Sequence, residues 1–121
     1  SWQFRSPSPP YDLKLTDAHS TGFRLVFKEP LQFNGILNYF KIKISPFIKN
    51  VDKIYHNKIM NDIILIIKSK NRCKRINSNE NSSIELNISG LESFQSYKIS
   101  VFAINQIGTS SKESESIIGN T

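Results

Sequence analysis

Few side chains in this 121-residue chain could do chemistry, and they do not converge. His19 has Asp17 and Ser20 beside it, the residue types of a base, an orienter and a nucleophile. They sit in one polar stretch, and closeness along a loop does not set an oxygen on a ring nitrogen and that nitrogen on a carboxylate. The other histidine, His56, lies in an unrelated polar stretch. No carboxylate pair stands out for general acid–base work. No Cys/His spacing suits zinc, and no glycine-rich loop follows a strand to cradle phosphate. The expectation is a non-enzyme with no catalytic residue, metal or cofactor.

Charge and modification offer more. The formal charge is +6, unevenly placed. From Lys41 to Arg75 there are ten Lys or Arg and two Asp, a local +8 that leaves −2 for the remainder. Such a span suits an acidic partner: a sulfated glycan, a nucleic acid or an acidic protein face. It also suits plain solubility. Its densest tract, "KSKNRCKR", holds Lys68, Lys70, Arg72, Lys74 and Arg75, candidates for binding heparan sulfate or a similar polyanion by charge density. A solvated loop is the alternative. Nucleic acid is not expected, because no aromatics flank the tract for base stacking. Cys73, the single cysteine, lies inside it, where basic neighbours favour the thiolate once the sulfur is exposed. One cysteine excludes a disulfide within the chain. Two sequons, Asn81-Ser-Ser and Asn87-Ile-Ser, are glycosylation candidates if the protein is secreted.

These groups need strands to position them. Apolar residues make up 38% of the chain, rich in Ile, Phe and Val, which favours β structure. The length suits one domain with its own core. "SWQFRSPSPP" opens like a linker or the end of a preceding domain, over residues 1–8, with the domain at 9–121. Pro7, Pro9 and Pro10 forbid a helix start there.

Short alternating runs follow, separated by turn signals. Tyr11 to Thr16 is the first. In "TGFRLVFKEP", Phe23, Leu25 and Phe27 share a face and Pro30 ends the run. In "NYFKIKIS", Phe40, Ile42 and Ile44 point one way, Lys41 and Lys43 the other. Residues 46–61 allow a short amphipathic helix through Val51, Tyr55 and Ile59, or an irregular loop. "DIILIIKSK" is apolar on both faces, and "SIELNI" turns Ile84, Leu86 and Ile88 inward and Asn87 outward. "SYKISVFAIN" alternates from Tyr97 through Ile99, Val101 and Ala103. A turn at Gly108 leads to a last strand near Glu113 to Ile118. The longest apolar run, Ile63–Ile67, is five residues. That is far short of the roughly 20 a spanning helix needs, so no direct membrane insertion is expected.

Three pieces carry a resemblance. "FKEP", with Phe27 and Pro30, resembles the Trp-x-x-Pro of the fibronectin type III family, Phe standing for Trp. "FKIKI", starting at Phe40, resembles its Tyr-x-Val-x-Tyr. "LESFQSYKISVFAINQIGTSS" resembles its leucine, tyrosine corner, Val-x-Ala-x-Asn and glycine turn, with Leu91 the leucine and Tyr97 the corner. "GTSSKES" lacks the Trp-Ser-x-Trp-Ser of the cytokine-receptor relatives. The resemblance implies an all-β, immunoglobulin-like sandwich of seven main antiparallel strands in two sheets. This chain has more residues than usual between the third strand and the corner, an insertion within 46–82.

In that family the third, fourth and sixth strands share a sheet. Lys41, Lys43, Ile64, Ile66, Lys68, Lys70, Lys98, Phe102 and Ile104 then face outward, an apolar stripe with an ammonium border. Lys41, Lys43, Ile64, Ile66, Lys98, Phe102 and Ile104 are the partner-binding candidates. The insertion or the lysine stems could instead cover the stripe. The resemblance implies a non-catalytic binding and spacer module. The expected setting is the extracellular side of a cell-surface receptor or adhesion protein, with a protein ligand or neighbouring domains of the same chain as partner. The alternatives are a heparan sulfate-binding module and a cytoplasmic structural module of the cytoskeleton.

Overall fold

Each apolar alternation folds as a strand with one face inward. The computed structural model describes residues 5–47, 61–70 and 83–121. In chain order the strands are β1 (Tyr11–His19), β2 (Gly22–Lys28), β3 (Leu37–Phe47), β4 (Ile63–Lys68), β5 (Ser83–Ile88), β6 (Ser96–Asn105) and β7 (Ile117–Asn120). β1, β2 and β5 form one sheet in the order β1-β2-β5, and the other runs β4-β3-β6-β7. Every pairing is antiparallel. The described residues contain no helix. This is the two-sheet, seven-strand sandwich that the resemblance implies.

The inward phases meet between the sheets. Phe23, Leu25 and Phe27 of β2 pack with Phe40, Ile42 and Ile44 of β3 and with Ile99, Val101 and Ala103 of β6. Phe27 and Phe40 meet edge-on at 5.2 Å between ring centroids, joining the sheets at their middle strands. Pro30 is fully buried where β2 ends. β7 closes one side so tightly that a Cβ on Gly119 would lie 2.5 Å from Leu15 Cδ1.

The corner before β6 has a definite partner. Tyr97 is 1% exposed, and its hydroxyl accepts the Glu92 backbone N–H at 2.9 Å. Leu91, also buried, donates its own N–H to the Thr21 carbonyl at 2.9 Å, tying the corner to the β1–β2 turn. A ring inside with its oxygen on the backbone satisfies the one polar atom that burial would otherwise leave unpaired.

Two boundaries differ from the sequence expectation. β3 runs on through Pro46 to Phe47, beyond the end expected at Ser45. β4 stops pairing at Ile44, while β6 continues to Phe47, so Pro46 sits where β3 is bordered on one side. The last strand begins at Ile117, later than expected. Residues 111–116 follow β6 with serines in place of a regular ladder. Ser111 donates its N–H to the Ala103 carbonyl at 2.8 Å, and its Oγ accepts the Ala103 N–H at 2.9 Å. Ser114 does the same with Val101, at 3.0 and 2.9 Å. One residue supplies both bonds of a rung, so the segment need not be extended.

β1 carries two bulges. Its register against β2 slips between Tyr11 and Lys14, and again between Thr16 and His19. Asp12 (φ 59°) and Asp17 (φ 51°) stand in the slips. Aspartate tolerates left-handed backbone better than most residues. Each bulge turns a carboxylate toward a β2 cation: Asp12 to Lys28 at 3.6 Å, Asp17 to Arg24 at 3.9 Å.

Candidate functional site

The outer face of the β4-β3-β6-β7 sheet gathers the sequence candidates into rows. Register places Ile66, Lys41 and Phe102 side by side across three strands, and Ile64, Lys43 and Ser100 in the next row. Lys68, Tyr39 and Ile104 form a row on one flank. Ser45, Lys98 and Ile118 form one on the other. Ile64 is 48% and Ile66 54% exposed, on a strand that among the described residues borders only β3. Lys41 lays its Nζ 4.4 Å from the centre of the Phe102 ring, so an ammonium covers the aromatic in the middle of the face. Among the described residues, Lys41, Lys43, Lys68 and Lys98 enter no ion pair.

One candidate is a correction. Ile104 has the outward phase but is only 5% exposed. The chain turns at Gly108 (φ 86°) and returns with Ser110 bridged to Ile104. The Asn105 Oδ1 holds that turn, accepting the Ile107 and Thr109 N–H groups at 3.2 and 2.8 Å. Ile104 is therefore covered by the turn and offers no surface.

Three residues join the face unforeseen. Tyr39 was readable from the β3 alternation, one place before Phe40. Phe47, also exposed, lies beyond Pro46, where the run was expected to have ended. Ile118, exposed opposite Lys98, depends on where β7 starts. Phe94, 96% exposed at φ 56°, stands off this face in the corner turn.

The remaining candidates divide by location. Lys68 and Lys70 are exposed at the end of β4. Arg72, Lys74, Arg75, Cys73, Asn81, His56 and the helix-or-loop reading through Val51, Tyr55 and Ile59 lie outside the described residues. The Asp17–His19–Ser20 trio does not assemble. Asp17 faces Arg24, and His19 Nδ1 takes the Thr21 N–H at 3.4 Å, closing a turn. Among the described residues no group of three His, Cys, Asp or Glu could hold a metal.

The opposite face is built differently. Arg24 lies 3.6 Å from Glu85 as well as 3.9 Å from Asp17, and its Nε donates to the Asn87 Oδ1 at 3.3 Å. Lys28 pairs with Asp12 and lies over the Tyr11 ring. At the sandwich side, an open groove of about 510 Å³ is lined by Pro9 to Leu13 and by Glu113, Glu115, Ser116 and Ile117. Asp12 there pairs with Lys28, and Glu113 accepts the Ser100 hydroxyl at 2.8 Å.

Among the described residues, then, the two sheets close one immunoglobulin-like sandwich whose two outer faces carry different chemistry. The family model described as fibronectin type III domain matches residues 8–120, and the chain belongs to that family. Such domains are typically non-catalytic and generally serve as interaction modules within multidomain proteins. No curated protein matches the chain significantly. Among solved structures it is similar to the FN5 domain of Drosophila Lar, at 20% identity and TM-score 0.63, covering 95% of this chain and 96% of that one. The third fibronectin III domain of human KIAA0343 protein gives 18% identity and TM-score 0.66, covering 98% and 86%. Titin kinase and its flanking domains give 17% and 0.62, covering 96% of this chain and 17% of that one. At these identities the likeness is one of fold.

Proposed function

We propose that this domain is a binding and spacer module of a multidomain cell-surface receptor or adhesion protein, and that the outer face of the β4-β3-β6-β7 sheet seats its protein partner. The observation that carries this reading is the Ile66–Lys41–Phe102 row with Ile64 beside it: exposed aliphatic side chains next to cations that no acid of the described residues answers. A partner with an apolar strip and flanking carboxylates would bury the first and pair the second. The spacer role has its own support. Ser8 is bonded to Gln32 beside the β2–β3 connection, and Thr121 to Glu92 and Gln95 at the opposite end, so the chain passes from one end of the sandwich to the other.

The test is a soluble multimer of the domain screened against arrayed ectodomains. Binding should fall about tenfold or more in Ile64→Glu/Ile66→Glu, as for central interface anchors, and should persist in Glu85→Lys on the other sheet. Hits that ignore the isoleucine changes refute the face. The second reading, a heparan sulfate module, has the exposed Lys68 and Lys70 in its favour. Retention on heparin that collapses in Lys68→Ala/Lys70→Ala, with no protein hit, would favour it.

A further inference from the structure

The opposite sheet holds a sequon that the binding reading does not use. We infer that Asn87 is an N-glycosylation site, and that its sugar stands on the outer face of the β1-β2-β5 sheet, across the sandwich from the lysine face. This rests on the extracellular reading above. All three sequon positions are defined by the fold. Asn87 is exposed on β5, Ile88 is buried, and Ser89 is exposed just past the strand's end. Phase decides whether a glycan is compatible with folding. At Leu86 or Ile88 the attached sugar would have to enter the core; at Asn87 it projects from it. Among the described residues β5 borders only β2 within its sheet, so a bulky group on it crowds described strands on one side alone.

The local chemistry is also permissive. The Asn87 Oδ1 receives Arg24 Nε at 3.3 Å, so the contact to the sheet uses the oxygen and leaves Nδ2 for substitution. In the transfer, Nδ2 attacks the anomeric carbon of an oligosaccharide carried on a polyprenyl pyrophosphate. The N–C bond forms as the bond from that carbon to the pyrophosphate oxygen breaks. Nδ2 gives up one proton, the lipid pyrophosphate leaves with the bonding pair, and nothing is oxidised or reduced. The product keeps its carbonyl oxygen, so Arg24 keeps its acceptor. The Ser89 hydroxyl completes the acceptor motif. The Arg24 guanidinium beside Asn87 keeps its two carboxylate partners, Asp17 and Glu85, on the same exposed face, so a sugar there need not separate an ion pair from water.

The experiment is secretion of the domain from a eukaryotic cell behind a signal sequence, with mass measured before and after peptide-N-glycosidase. One oligosaccharide-sized step should disappear in Asn87→Gln and equally in Ser89→Ala, and should survive Asn81→Gln. Ser89→Ala leaves the Arg24–Asn87 contact in place, so loss of sugar is separated from loss of fold. A wild-type chain with no step, or a step that both variants at positions 87 and 89 retain, overturns the site. A step on the secreted domain that is missing from the protein isolated from its own cells supports the site and sinks the extracellular reading.

Discussion

On the β1-β2-β5 face, Arg24 lies against Asp17, Glu85 and Asn87, and Lys28 against Asp12 and the Tyr11 ring. On the β4-β3-β6-β7 face, Lys41 faces Ile66 and Phe102 across the strands, Lys43 faces Ile64 and Ser100, and Lys98 faces Ile118. The first arrangement answers each β2 cation with an acid, two of them delivered by bulges. The second answers cations with aliphatic and aromatic groups. Exposed ion pairs contribute only about 0–1 kcal/mol each, so the pairing is not chiefly a stability device. Its consequence is a face on which the β2 cations already have acidic partners. On the lysine face the described residues leave the ammonium groups without an ion pair and the isoleucines exposed, the two features on which the proposed docking rests.

The comparison requires that both faces stand on one core. Phe27→Ala is the change that would break it most. It removes the ring that meets Phe40 from the other sheet, and should cost about 3–5 kcal/mol in denaturant unfolding. A single cooperative transition should carry both faces down together. A cost below about 1 kcal/mol would mean that the sheets do not share that contact, since truncating a buried phenylalanine typically costs about 3–5 kcal/mol.

Next in size is Tyr97→Phe, at about 1–2 kcal/mol. It keeps the ring in the core and leaves the Glu92 N–H without its acceptor. The corner starts β6, the strand that carries Lys98 and Phe102 into position. The variant should therefore lower the unfolding midpoint with no change in the surface charge of either face. An unchanged midpoint would mean that water satisfies the Glu92 N–H as well as the phenol does.

How far the two faces could be read from the sequence differs for physical reasons. The phases of Lys41, Lys43, Ile64, Ile66 and Phe102 follow from period two along a strand, which is local, and the family resemblance put their strands in one sheet. The corner at Leu91 and Tyr97 was legible because its spacing is fixed by one short turn. Ile104 was misread because its cover comes from a returning segment, not from its own strand. Pro46 was read as an end because its missing N–H matters only where a neighbour needs it, and β4 has already stopped. The start of β7 was hidden because the Ser111 and Ser114 side chains imitate backbone. The ion pairs of the first face were invisible for the same reason as Ile104: Asp12 and Asp17 reach β2 only through bulges that no alternation announces.

The smallest predicted effects sharpen the comparison directly. Arg24→Met removes a hub from exposed partners and should cost about 0.5–1 kcal/mol, fading as salt rises. Lys43→Met removes a cation that no acid of the described residues answers, beside Lys41 and opposite Ile64. It should be neutral within about 0.5 kcal/mol, as surface changes away from specific partners usually are. The pair of measurements, each at low and high salt, isolates charge from packing, because both variants keep an unbranched side chain of similar reach. A salt-sensitive loss at Arg24 with none at Lys43 means that the cations of one face work within the fold and those of the other do not. Equal losses would mean that the lysine face is engaged by its own chain, which would count against the docking proposed for it.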